Sequence, residues 1–538
     1  MIDAVFPVEK LKEIMVNKNC QMQLNHVSLA KVNKILKSLS NSKSTGIDEL
    51  DNYSVKIAAD LITEPIHHII CLSINQNKFP EKWKLSKVLP LHKKGDECEL
   101  VNYRPVSILS PLSKVLEKVV YEQVYSYFTR NHLFHPNLHG YRSNRSTQTA
   151  LQQMYDRWIR AAHDGMLSGV VLLDLSSAFD LVDSKLLLEK LKIYGFDKYI
   201  LSWIESYLSN RKQAVWIDSA LSDFLDCPIG VPQGSNLGPL FFLVFYNDLP
   251  YSLSCPVDAY ADDSTMTVSA ECLEDIGVCL SENCSIVSDW MRGNKLKLNP
   301  TKTHLLTIGT QARLRIQQTT LKVTMDGIQL EEKVGQSELL LGVHVQSNLK
   351  WHKHVDELLK KLQTRLNALE RLKYCLPFHL KKTIVEGVFT SVLSYCLPVF
   401  AGCDQLDLEA LQVMQNKAAR IVTNLGIRTS RFEIFNQVGW MTVQQLSYYF
   451  TVLSTYRIRE QQEPEYLFRI MGRDNRLEKI IVPNSRLSLA MKSFCFRGSV
   501  QWNKLPEDIR KSPNICRFKS LLKDWIHQNV PQFSNEDR

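Results

Sequence analysis

The sequence has few of the features that mark a secreted, membrane-spanning or zinc-built protein. Its 13 cysteines form no CxxC pair and no zinc-knuckle spacing, which argues against a structural zinc site. An odd cysteine count, with no signal-type apolar run in MIDAVFPVEKLKEI, leads us to expect an intracellular protein with reduced thiols, most of them small buried hydrophobes. Long hydrophobic runs are missing too. The most apolar stretch covers only residues 238–246, too short to span a bilayer, so no membrane partner is expected. There are no internal repeats and no low-complexity tracts, which excludes solenoid arrays and extended disorder. Charge of one sign does not dominate: 65 Lys and Arg against 56 Asp and Glu leave +9. That basic excess suits a nucleic-acid partner without requiring one.

What remains is ordinary globular composition, 44% hydrophobic and 22% charged over 538 residues. The length accommodates roughly three to four domains. Nothing like a folded catalytic domain precedes the first helical stretch at residues 27–39, and the chain is expected to be a piece of something longer.

Apolar spacing predicts helices over residues 27–39 and 57–74 and a strand around Val88–Leu91. A turn at Lys94-Gly95-Asp96 leads to a second extended run, Tyr103–Leu109, which Pro105 assigns to a sheet edge. The two runs make a hairpin carrying Lys93, Lys94 and Arg104. Ser113 is expected to cap a helix reaching Phe128. Residues 169–175 are continuously apolar up to Asp174, which reads as a strand buried on both faces. A Gly/Pro loop at residues 230–235 runs into an apolar helix at 237–245. Residues 353–423 read as helices rich in Lys and Arg, and residues 456–538 as a looser basic region.

The segment AYADDSTM places Asp262 beside Asp263 in an otherwise strand-like run. Carboxylates are poor strand formers, and neighbouring negative charges repel. Turn chemistry alone explains an isolated ADD as a solvated hairpin tip. A second reading joins the pair to Asp174. If the two strands are neighbours, three carboxylates converge at one sheet edge. Such a cluster suits hard divalent cations and the two-metal form of phosphoryl transfer. The basic hairpin upstream supplies cations for a triphosphate.

In this order the blocks LPLHKKGD, NYRPVSIL, HGYRSNRST, VVLLDLSSAFDLVD, GVPQGSNLGPLFFLVFYNDLP, YADD, LKLNPTKTHLL and LLGVHV resemble the reverse transcriptases of non-LTR (LINE-type) retrotransposons, in the jockey-like and chicken-repeat-like branch. The resemblance covers residues 80–345, and QNKAAR and FRGSVQWNKLP extend it beyond. It implies an α+β, right-hand polymerase of fingers, palm and thumb with an antiparallel palm sheet, followed by a mainly helical thumb and C-terminal region. The implied division is an N-terminal helical extension (1–79), fingers and palm (80–345), a helical thumb-like region (346–455) and a basic C-terminal region (456–538).

The same resemblance makes Asp174, Asp262 and Asp263 the palm carboxylates, with the Leu175 carbonyl as a further metal ligand. It makes Phe179 a steric gate against the ribose 2′-hydroxyl, although a core aromatic is the plainer account of that residue. Lys93, Lys94 and Arg104 would hold the incoming triphosphate, and Gln233 and Gly234 would pack against nucleotide and template. Lys302 would protonate the leaving pyrophosphate; an exposed strand-end lysine is the alternative. Leu341, Gly342 and Val343 would grip the primer. The implied cofactor is magnesium, with manganese an alternative. The implied partners are an RNA template, a DNA primer or target, and dNTPs. Nuclear action follows from the family's target-primed mechanism, and no feature sets an oligomeric state.

The endonuclease that usually precedes the polymerase in this branch has no counterpart in these residues, and no RNase H pattern follows. A viral RNA-dependent RNA polymerase shares the acid hairpin but typically has an acid where this chain has Phe179 and favours GDD over YADD. Group II intron maturases and telomerase share the core blocks but not the region after residue 345. A retroelement remnant that binds nucleic acid without catalysis is the alternative from a different class.

Overall fold

Short apolar runs bounded by Pro, Gly or Asp become strands, and the stretches with helical apolar spacing become helices. The computed structural model describes residues 6–16, 18, 20–176, 178–299, 302–317, 319–330, 332, 337–472, 478–485 and 487–531. The chain forms two units. One comprises Met1–Tyr141, Leu173–Ser264 and Glu282–Lys302; the other comprises Arg142–Leu172, Thr265–Ser281 and Thr303–Arg538. In chain order the strands are β1 (Leu85–His92), β2 (Tyr103–Ile108), β3 (Leu167–Leu173), β4 (Leu175–Ser176), β5 (Lys212–Ile217), β6 (Ala220–Leu221), β7 (Leu225–Asp226), β8 (Val257–Tyr260), β9 (Asp263–Ala270), β10 (Lys297–Leu298), β11 (His304–Ile308), β12 (Val323–Met325), β13 (Ile328–Leu330), β14 (Ser337–Leu340) and β15 (Val343–Gln346).

Two sheets matter most for the site. In the first, β1 pairs antiparallel with β2 and parallel with β5, in the order β2-β1-β5-β6, with β7 also on β5. Pro105 faces Pro90 across the hairpin, and β2 lies at the edge, as a proline without an N–H requires. The second sheet has the order β11-β3-β9-β8. β3 is buried along nearly its whole length, as its continuous apolarity predicts. β8 and β9 are neighbours joined by Ala261 and Asp262, so the acid pair sits at a hairpin turn.

The structure departs from the sequence reading in three places. The helix expected to start at Ser113 is Pro111–Arg130, capped by Ser110, whose Oγ accepts from Leu112 N. Proline is well suited to the first helical position, and Ser113 lies inside the helix, its Oγ donating to Glu117. The helix expected over 57–74 is Ala59–Gln76, starting two residues later, and a separate short helix, Asn52–Ile57, capped by Asp51, precedes it. The C-terminal region is not loose. The helix Val443–Gln461 runs through position 455, and helices Phe494–Asn503 and Ile515–Asn529 share a core with it. Trp502, Phe518, Leu522 and Ile526 are all buried there, and Tyr456 stacks on Phe518 with ring centroids 4.0 Å apart. Leu522 and Ile526 follow Phe518 at one-turn spacing, an apolar stripe that the many basic residues obscure.

No helix among the described residues is long and apolar enough to cross a membrane. No disulfide forms among the described residues.

Within the first unit, a buried polar knot lies next to the acid hairpin. Tyr246 shares a 2.8 Å hydrogen bond with Ser264 of β9 and packs edge-on against Trp290. Lys190 donates to Asp248 and to the Phe245 carbonyl, 2.8 Å each, and its ammonium lies 4.8 Å from the Trp290 ring centre. Both members of the ion pair are shielded from water, so removing one strands the other's charge. Lys190→Met is expected to destabilise the protein by about 3–5 kcal/mol. The double variant Lys190→Met/Asp248→Leu should recover most of that loss. Chemical denaturation of the two variants beside the wild type checks both values.

Candidate active site

The acid cluster is held by backbone bonds from several segments. Asp174 follows β3, and its carbonyl accepts from Asn299 N at 3.0 Å. One residue later Leu175 pairs with Leu298 between β4 and β10, which fixes the backbone just after the acid. Asn299 in turn accepts from Lys302 N at 3.1 Å, so Lys302 is tied by its backbone to the Asp174 end. Its side chain is exposed; Pro300 and Thr301 lie outside the described residues. The hairpin bearing Asp262 and Asp263 is clamped from its other side. His139 N donates to Ala259 O at 2.7 Å and Ala259 N to Asn137 O at 3.0 Å, extending β8 by one bridge. A Cβ on Gly140 would collide with Ala261 N; only glycine lets these two backbones approach so closely.

The three carboxylates lie within electrostatic reach of one another. Asp263 keeps an exposed face, yet the protein packed around it desolvates its carboxyl and raises it above the ordinary aspartate range. The negative charges of Asp262 and then Asp174 push it further the same way. Among the described residues, no group of three His, Cys, Asp or Glu side chains closes on one point as a metal cage.

Phe179 is half-buried rather than a core residue. Its ring stacks on Phe242, with centroids 4.7 Å apart and planes 24° apart, and meets the Tyr141 ring edge-on at 5.9 Å and 89°. Its carbonyl accepts from Val231 N at 2.9 Å, which ties it to the Gly/Pro loop. Next to it, Asp180 accepts from Gln233 Nε2 at 2.9 Å. The loop is tied to β2 as well, where Ser107 N donates to Gln233 O at 2.7 Å. Gly234 has φ +120°, and a Cβ there would run into the Ser107 carbonyl. The loop thus joins the Phe179 segment to the edge of the β1–β2 hairpin.

Of the three basic residues on that hairpin, two reach this neighbourhood. Lys93 lowers the Asp180 carboxyl by its charge, although desolvation outweighs it and the net shift is upward. The charge of Arg104 opposes the raising of the Tyr141 phenol. Lys94 is exposed in the turn beyond β1. Leu341 and Gly342 form the turn of the β14–β15 hairpin, both with positive φ, and Val343 begins β15. They belong to the second unit, where Tyr395 Oη donates to Leu341 O at 2.8 Å.

Three residues at this site have no mark in the linear reading. Tyr141 sits beside Phe179; burial, then the charges of Asp262 and Tyr260, push its phenol up to about 12, so it stays a neutral donor. Asp180 orients the Gln233 amide. Glu117 is fully buried, accepts from Ser113 Oγ and, at 2.7 Å, from the backbone N–H of Asn236. It thereby caps the helix Leu237–Tyr246, which lacks a side-chain cap from Asn236 itself. Each contact joins segments far apart in the chain, and only the spacing of blocks hinted at them.

Comparison with known proteins matches residues 91–367 to the family described as reverse transcriptase (RNA-dependent DNA polymerase). The chain is 26% identical over 436 residues to the probable RNA-directed DNA polymerase from transposon BS of Drosophila melanogaster, covering 77% of this chain and 47% of that protein. It is 23% identical over 418 residues to the RNA-directed DNA polymerase from mobile element jockey of the same species, covering 75% and 44%. It is also 24% identical over 279 residues to a retrovirus-related Pol polyprotein from the type-1 retrotransposable element R2 of Popillia japonica, covering 49% and 38%. The chain thus spans about half the length, or less, of these relatives.

The crowding at Asp263 has a measurable consequence. A carboxyl raised in the folded state favours folding below its unfolded value, and that contribution is lost as pH rises through the folded value. Metal-free protein should therefore carry a local destabilisation at neutral pH that Asp263→Asn removes. We expect the variant to melt about 1–3 °C higher than the wild type in chelator at pH 7–8, with the gap closing toward pH 4. Thermal melts across that range test it.

Proposed function

The chain belongs to the reverse transcriptase family, and from that premise we propose that it is the RNA-directed DNA polymerase of a non-LTR retrotransposon. In this reading it extends a DNA primer 3′-hydroxyl on an RNA template with deoxynucleoside triphosphates. The supporting observation is that carboxylates from two remote segments meet where β3 lies beside β9: Asp263, raised first by desolvation, feels the charges of both Asp262 and Asp174. Repelling acids kept together at neighbouring strand ends make chemical sense when cations neutralise them.

The β1–β2 hairpin then corresponds to fingers, the β3–β9–β8 strands to palm, and the helices after residue 346 to thumb. Asp174, Asp262 and Asp263, with the Leu175 carbonyl, would hold magnesium or manganese. The donor set fits: these ions take hard oxygens, and magnesium commonly uses one or two carboxylates and leaves its other positions to water and substrate phosphates. A closed protein cage is thus not needed. Bound there, such cations polarise the attacking hydroxyl and neutralise charge on the phosphates.

The remaining chemistry falls to the chain's own side chains. Lys93, Lys94 and Arg104 bind the triphosphate as point charges and a planar fork. Phe179 occupies the space a ribose 2′-hydroxyl would need. Gln233, oriented by Asp180, and Gly234, backed onto Ser107, present the loop to nucleotide and template. Lys302, tied to Asp174 through Asn299, gives a proton to the departing pyrophosphate. Leu341, Gly342 and Val343 hold the primer, and the basic helices beyond them bind backbone phosphates. Such an enzyme would be intracellular and would meet its target DNA in the nucleus.

Primer extension on a primed RNA, with dNTPs and then NTPs, tests the proposal. Wild type should incorporate dNTPs in preference to NTPs, and Asp262→Ala should reduce extension on the order of 10²–10³-fold, as for loss of one preorganised charged group. Equal extension by variant and wild type would remove the acid pair from catalysis. Binding without extension by either would favour the non-catalytic remnant.

A further inference from the structure

The block HGYRSNRST has no role in the mechanism above, yet its third residue touches the mechanism's most selective element. The Tyr141 ring meets the Phe179 ring at right angles, 5.9 Å between centroids, while Phe242 stacks on the same ring at 4.7 Å. Phe179 is therefore gripped by two rings from two other segments. Phe242 lies on a buried helix and is itself shielded from water. Tyr141 is the more exposed partner, 41% open to solvent.

The backbone at Tyr141 is unusual as well. Its φ is +57°, a left-handed conformation that bulky side chains rarely adopt. Ala261, in the turn of the acid hairpin, has φ +59°. Gly140 presses its bare Cα against Ala261 N, and His139 N bonds to Ala259 O. The segment is thus docked on the hairpin backbone and delivers Tyr141 to Phe179 from a strained conformation. Strain of this kind persists where the surroundings over-determine it, commonly at functional positions.

We propose that Tyr141 is a positioning residue for sugar selection: it fixes the Phe179 ring in the place where that ring excludes a ribose 2′-hydroxyl. The proposal rests on the reading of Phe179 as the gate of a DNA polymerase. A ring held by Phe242 alone can tilt, and a tilted gate leaves room for the extra oxygen. The ring of Tyr141, not its hydroxyl, does this, because the contact with Phe179 is edge to face.

The test is single-nucleotide primer extension with the full chain, comparing kcat/KM for a dNTP with that for the matching NTP. Tyr141→Phe keeps the ring and should keep the wild-type dNTP-to-NTP ratio within about twofold. Tyr141→Asn removes the ring while tolerating the left-handed backbone. It should lower the ratio roughly 2- to 10-fold, the range set by one aromatic edge-to-face contact. Tyr141→Gly, which relieves the backbone entirely, should lower it alike, so a poorly folded Asn variant does not decide the matter. A general loss of folded enzyme scales both rates and leaves the ratio unmoved. A wild-type ratio in both ring-deleted variants overturns the proposal. If Phe179→Ala also leaves the ratio unchanged, the gate reading falls and the proposal with it; a wild-type chain that extends no primer overturns the polymerase reading itself.

Discussion

Three like charges cannot be kept at one end of a sheet unless the backbone around them is over-constrained. That requirement organises the first unit. Asp263 is raised first by desolvation and then by the charges of Asp262 and Asp174, so the site is intrinsically unfavourable to the metal-free fold. What holds it is a set of backbone bonds contributed from outside the two acid-bearing strands. Asn299 pins the carbonyl of Asp174, while Asn137 and His139 pin Ala259 just ahead of the acid turn. The buried Lys190–Asp248 pair and the Tyr246–Ser264 hydrogen bond lie under the same hairpin. Each of these belongs to a different part of the chain, and each resists the splaying that repulsion favours.

The same economy governs the loop at residues 230–236. It is stitched to Phe179 through Val231, to Asp180 through the Gln233 amide, and to β2 through Ser107. Glu117 closes its far end by accepting the N–H of Asn236. Burial pushes the Glu117 carboxyl up, and hydrogen-bond donors meet both of its oxygens, so neither is left unpartnered. One short loop therefore sets the relation between an aromatic ring, an acid and a basic hairpin. In the second unit, Tyr395 does a comparable service for the Leu341–Gly342 turn.

Much of this was visible in the linear chain where a residue contradicts its local setting. Adjacent aspartates in a strand-like run, an apolar strand ending in Asp174, and Pro105 within an extended run all violate simple propensity. Each proved to be where the chain does something particular: a crowded turn, a strand end beside it, a sheet edge. Tyr141, Asp180 and Glu117 violate nothing locally. A tyrosine after glycine, an aspartate after phenylalanine and a glutamate in a helix are unremarkable, and their importance arises from partners at Phe179, Gln233 and Asn236. The C-terminal core was overlooked for another reason. Arg517, Lys519 and Lys523, interleaved along Ile515–Asn529, mask the one-turn spacing of Phe518, Leu522 and Ile526.

The amino-acid order alone determined the period of each element, the edge position of β2, the double-sided burial of β3 and the existence of an acid pair at a turn. Those properties depend on residues within a few positions of one another, where backbone sterics and side-chain alternation act directly. Which strand lies beside which, and so whether Asp174 feels Asp263 or Tyr141 meets Phe179, was decided only by the tertiary structure. Pairings between remote segments are selected by the packing of the whole chain, and no short stretch of sequence carries their energy.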